Sequence, residues 1–170
     1  MAISMYQASV PVFVRALENL RHILRKGEAF AADRGFDPGI LLQTRLVPDM
    51  LPLVRQVQIA ADMAARGAAR LAGEAPRAFS DEETTFEQLY ARLDAAIGYI
   101  EGFGPERIDG SESREIVVPL RGTERRFDGQ SYLLQFTLPN LFFHVATAYD
   151  ILRQAGTPLG KADYINGAHG

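Results

Sequence analysis

The sequence predicts an all-α protein, an antiparallel four-helix bundle with a small β-hairpin inserted before the last helix. Three observations lead to this fold. Apolar residues recur at alternating three- and four-residue steps in four separate stretches. Between Ile108 and Leu138 the period changes to strand-like alternation. Gly and Pro stand where the helical stretches should stop. At 170 residues the chain fits a single domain, 1–170, and a domain near that size buries roughly 70% of its unfolded surface. No internal repeat, linker or low-complexity tract calls for a second one.

The first helix is expected near residues 9–26, where Val10, Phe13, Leu17, Leu20 and Leu24 form one stripe. Ser9 is its expected N-cap, Pro11 fits the first turn, and Gly27 marks its end. Arg15, Glu18, His22 and Arg25 follow the opposite face, so His22 reads as a solvated helix residue. A second helix near 41–72 carries Leu46, Met50, Leu53, Val57, Ala60, Ala64 and Leu71, with Gly73 as a natural stop. Pro48 and Pro52 complicate its start, because only one of them fits an N-terminal position without removing a backbone bond. Its second half is rich in alanine, which lets a neighbouring helix approach closely.

Residues 74–83 are polar, contain Pro76 and read as a surface loop. Thr84 with Glu87 matches a capping box that opens a third helix near 84–104, with Phe86, Leu89, Leu93, Ile97, Ile100 and Phe103 on its apolar face. Ile116, Val118 and Leu120 then alternate, Arg121 to Glu124 reads as a turn, and Arg125 to Asp128 as the return strand. One hairpin is not stable alone and must pack on the bundle. Gln130 to Phe136 reads as a short helix leading into the last one, near 139–155, which Pro139 opens and Gly156 and Pro158 close.

Composition narrows the function classes. With 47% hydrophobic and 23% charged residues the chain is that of an ordinary soluble globular protein. The absence of cysteine removes disulfides, thiolate metal sites and thiol nucleophiles. A net charge of −3, with acidic and basic residues interspersed, offers no footprint for nucleic acid. The N-terminal stretch lacks the basic region of a signal peptide and no apolar run approaches a membrane span, so a cytoplasmic protein is expected. There is no GxSxG, no phosphate-binding glycine loop and no spacing that singles out a carboxylate pair.

The last helix is the densest apolar run and carries the one histidine that faces an interior. Projected at about 100° per residue, Leu141, Val145, Ala148 and Leu152 centre its buried face, with Phe142 and Tyr149 on one flank and Asn140, His144 and Ile151 on the other. Asp150 and Gln154 mark the solvent side, and Phe143 falls near it. Asn140 and His144, four residues apart, share a face and can converge on one ligand.

The segments RLVPDMLPLVRQV, LPNLFFHVATAYDILRQAG and GKADY resemble a domain-of-unknown-function branch of the DinB-like four-helix-bundle superfamily, over nearly the whole chain. Better-studied relatives hold a divalent metal through three histidines, one on the second helix and two on the last, and some are thiol-dependent transferases or isomerases. The resemblance places His144 at one of the last-helix ligand positions and Asn140 at the other. The second helix has no histidine, and its polar candidates are Asp49 and Gln56, seven residues apart. The triad is therefore incomplete, and a site of His144, Asn140, Asp49 and Gln56 would suit oxygen-preferring divalent ions at low affinity. The alternative is that Asn140 and His144 hydrogen-bond within the bundle.

Two functions stand on this reading. In one, the protein binds a small molecule or is structural, with the metal triad lost. In the other, it is a divalent-metal-dependent transferase or hydrolase acting on a small molecule. The resemblance implies a homodimer formed through a bundle face. The tail around Gly160, Lys161, Asp163 and Tyr164 is expected to dock on the bundle end, and His169 to be mobile.

Overall fold

The computed structural model describes residues 2–120 and 122–169. Four long helices build the bundle: α1 (Met5–Arg34), α3 (Leu53–Leu71), α4 (Phe86–Glu101) and α7 (Leu138–Gln154). Short helices α2 (Gly39–Gln43), α5 (Pro105–Ile108), α6 (Gly129–Ser131) and α8 (Lys161–Asn166) join or flank them. The expected bundle and inserted hairpin are both present, and the differences lie at the ends of the elements and in a break within the expected second helix.

Helix α1 begins five residues before the apolar stripe suggests. Ser4, not Ser9, is the N-cap, and Gln7 completes a capping box with it. Ser9 instead lies buried, its hydroxyl donating to the Met5 carbonyl at 2.6 Å. Gly27 does not end the helix. A β-carbon there would stand 2.7 Å from a Leu152 methyl, so the glycine serves the close approach of α7. The true stop is Gly35, at φ 73°, whose N–H returns to the Ala31 and Ala32 carbonyls.

The expected helix over 41–72 is two helices. Two prolines four residues apart cannot both be housed in one first turn, so the chain leaves helical geometry after Gln43 and resumes at Leu53 with Pro52 as N-cap. The Leu53 N–H closes the excursion on the Thr44 carbonyl at 2.9 Å. Asp49 consequently sits exposed in this connection and not on the helix with Gln56. In the third stretch the capping box is Thr85 with Gln88, one residue later than Thr84 with Glu87, and α4 ends at Glu101 before the separate turn α5.

Paired contacts give the helix directions. Arg21 meets Asp94 and Glu28 meets Tyr90, so α1 and α4 run antiparallel. Gln56 meets His144 and Gly67 faces Thr137, so α3 and α7 do as well. Val12 and Ala16 share a cleft with Phe142 and Val145 while Gly27 meets Leu152, so α1 and α7 are parallel, and with the two antiparallel pairs this makes α3 and α4 parallel too. A parallel pair needs a connection that travels back along the bundle. The polar segment 74–84 does this, lying beside α3 through Arg55–Asp81 at 2.8 Å and Gln58–Glu83 at 2.7 Å. Arg92 of α4, with its side chain 2% exposed, fastens that return segment from inside. It donates to Asp62 at 2.5 Å, Glu83 at 2.9 Å and the Ser80 carbonyl at 2.6 Å.

The hairpin pairs β1 (Ile116–Leu120) with β2 (Thr123–Phe127), from Ile116 opposite Phe127 to Leu120 opposite Thr123. Arg121, in the expected turn, lies outside the described residues, and Gly122 supplies the positive φ. Ile116 and Val118 are buried while residues 123–126 face water, so one face of β1 supplies the hairpin's buried aliphatic contacts. Asp128 caps α6 through the Ser131 N–H at 2.8 Å. The helix then widens to π geometry over Tyr132–Thr137 and enters α7 without a break. Phe127, Tyr132 and Phe136 cluster at ring distances of 5.4 to 6.0 Å, fixing the hairpin on this stretch. Among the described residues no helix is long and apolar enough to cross a membrane.

The tail docks as α8, and not at a bundle end alone. Asp163 caps the helix on the Gly160 N–H and reaches Lys26 at 2.8 Å and His22 at 3.1 Å. Its own burial acts to raise the Asp163 pKa, but the Lys26 ammonium, the Gly160 N–H and the His22 ring outweigh that and bring it to about 2. His22 is thus engaged with the tail and not merely solvated. His169, expected to be mobile, lies 3.0 Å from Glu18.

Candidate functional site

The facing surfaces of α3 and α7 carry the site. Gln56, in the first turn of α3, is 2% exposed, and His144 projects toward it from α7. The His144 Nδ1 and Gln56 Oε1 atoms are 2.7 Å apart. The Gln56 amide nitrogen donates to the Leu51 carbonyl at 3.0 Å, which turns the amide oxygen toward the imidazole. That oxygen can only accept, so Nδ1 carries the proton and Nε2 presents its lone pair. Burial pushes the His144 pKa below its ordinary value, so the ring is neutral at pH 7. The exposed Phe143 ring meets the imidazole edge to face at 5.2 Å.

Of the four residues singled out in the sequence, Gln56 and His144 meet directly. Asn140 turns its amide onto its own helix, donating to the Phe136 carbonyl at 2.6 Å where π geometry gives way to α. Asp49 is exposed on the α2–α3 connection. Among the described residues, no group of three or more His, Cys, Asp or Glu side chains could hold a metal ion. With the Gln56 oxygen accepting from Nδ1, His144 Nε2 is the strong lone-pair donor among the four.

Chemically, the pair is an oriented hydrogen-bond acceptor. An orienting carboxylate would stabilise the imidazolium and strengthen a base, whereas the neutral Gln56 amide fixes the Nδ1–H tautomer without adding a charge, and burial keeps the ring uncharged. The consequence is measurable. His144 in the folded protein should titrate below 6.5 by NMR, and Gln56→Glu should move it above that value. On acidification the unfolded chain takes up this proton first. His144 therefore lowers stability as the pH falls from about 6.5 toward the folded-state pKa, and its contribution levels off below that. A wild-type ring titrating above 6.5 would contradict the buried neutral assignment.

A family model described as a domain of unknown function, DUF1993, matches residues 5–165. Among solved structures, the chain is similar to a DinB family member protein from Shewanella denitrificans, known from a crystal structure. The two are 38% identical, the match covers 94% of this chain and 90% of that one, and the TM-score is 0.88. No curated protein matches the chain.

Proposed function

The chain belongs to the DUF1993 family, and from that premise we propose that it is a small-molecule-binding bundle whose recognition centre is His144. The carrying observation is the neutral imidazole, locked by Gln56 with Nε2 left as an acceptor. Such a group selects ligands that offer an N–H or O–H donor. In this reading the protein acts in the cytoplasm as a homodimer, which light scattering on the untagged chain checks directly.

A ligand-observed NMR screen of small neutral fragments tests the binding. Fragments bearing an N–H or O–H donor should perturb the His144 ring in the wild type and lose their binding in His144→Phe. Hits that never shift the ring would count against the site.

A second reading, a divalent-metal-dependent transferase or hydrolase, draws on the same neutral Nε2, since that is the form in which imidazole ligates metals. Metal analysis of protein purified without a histidine tag separates the two. Stoichiometric metal lost in His144→Ala supports the metal-dependent enzyme. No metal, with thermal stability unmoved by added divalent ions, supports binding without one.

A further inference from the structure

On the flank of α7 turned away from Gln56, a cleft of about 340 Å³ opens between α1, α7 and α8. Pro11, Val12, Phe142, Val145 and Ile165 supply apolar wall, and Arg15 stands at its edge. Phe142 and Ile165 remain 39% and 44% exposed, so the cleft holds apolar surface that the chain itself does not cover.

The cleft is held open by polar contacts. Asn19, 5% exposed, donates to the Ile165 carbonyl at 2.9 Å and accepts the Ala168 N–H at 3.2 Å, so α8 stands as a fixed wall. Arg15 is oriented in the same way: its Nη2 donates to Asn166 Oδ1 at 2.9 Å and to the Ile165 carbonyl at 3.4 Å. Both acceptors are neutral. Among the described residues no carboxylate lies within 4.0 Å of the guanidinium, and Glu18 on the same helix is engaged by His169. A positioned, uncompensated cation beside uncovered apolar wall is complementary to a molecule with a hydrocarbon body and one anionic end.

We infer that this cleft binds a small amphipathic carboxylate, with its hydrocarbon body against Val12, Phe142 and Ile165 and its carboxylate on Arg15. The site is separate from His144, which faces α3.

Octanoate and its neutral counterpart 1-octanol, titrated into the full chain by calorimetry and followed by NMR, test the inference. Octanoate should bind at one site, shift the Phe142 and Ile165 resonances, and bind about tenfold more tightly than octanol. Arg15→Gln, an exposed position, should abolish that preference. Val12→Trp should fill the cleft and remove both ligands while thermal stability is retained. His144→Phe should leave octanoate binding unchanged.

Absence of saturable octanoate binding at millimolar concentration would overturn the inference, as would equal affinity for the two ligands or a preference that survives Arg15→Gln. Loss of octanoate binding in folded His144→Phe would place the ligand at the other site and overturn it too. A dimer by light scattering that Val12→Trp dissociates would assign the cleft to a second copy of the chain, with the same result.

Discussion

Arg92→Met is expected to lower the unfolding free energy by about 3–5 kcal/mol. The guanidinium is almost fully enclosed and gathers Asp62 from α3 with Glu83, Asp81 and the Ser80 carbonyl from the return segment. It also lies 4.8 Å from the centre of the Phe79 ring. Methionine fills much of the volume but leaves Asp62 and Glu83, 13% and 11% exposed, without their shared cation. The cost comes chiefly from Glu83, left with the Gln58 amide at 2.7 Å as a neutral partner, while Asp62 keeps Arg66 at 2.7 Å. Arg92→Lys should recover only part of the loss, because one ammonium cannot reproduce the planar fork. Urea denaturation at pH 7 measures both variants. A loss below about 1 kcal/mol in Arg92→Met would show that the cluster behaves as an exposed ion pair.

Gly129→Ala should cost about 3 kcal/mol, the upper end for overpacking. A β-carbon at this buried position collides with the Ser111 carbonyl oxygen. A flexible side chain in the way could rotate aside, but a backbone carbonyl moves only with its segment. Here that segment also receives the Gln130 N–H on the Glu112 carbonyl at 3.0 Å. The expected result is a lower denaturation midpoint with loosening centred on the hairpin, visible as faster amide exchange in 116–127. Gly98→Ala in α4 is the control. That position is exposed with nothing within 4 Å of the added methyl, so helix propensity should stabilise the variant by about 1 kcal/mol.

The legible part of the fold was the part carried by periodicity. Leu17, Leu20 and Leu24, or Leu141, Val145 and Leu152, declare a buried helix face because burial acts on every third or fourth residue. Helix ends were harder, since they depend on what a residue meets in space. Gly27 looks like a terminator until Leu152 is placed beside it, and Ser9 looks like a cap until Ser4 and Gln7 close a box upstream. Arg92 carries a signal of its own: it falls on the stripe of Leu89 and Leu93, where a lone cation needs a partner, and the acidic residues 81–83 lie in the preceding polar loop.

At the candidate site, spacing put Asn140 and His144 on one flank of α7, while Gln56 became a candidate only through what the family resemblance implies for the second helix. Spacing could not show which of them meet. The Gln56–His144 bond depends on two rotamers and on the Leu51 carbonyl, which reaches Gln56 only because the chain breaks before Leu53. The same break removed Asp49 from the helix.

The π-helical stretch Tyr132–Thr137 gives the chain one residue of slack between two rigid surfaces. Upstream, Phe127, Tyr132 and Phe136 hold the hairpin, while downstream α7 presents His144 to α3. Winding the same six residues as ordinary α-helix would turn the two surfaces by about 100° relative to each other, the rotation of the one residue that the wide turn absorbs. Local backbone regularity and global alignment thus oppose each other in these six residues. The wide turn is the setting that lets one continuous helix serve a hairpin on one side and an imidazole on another.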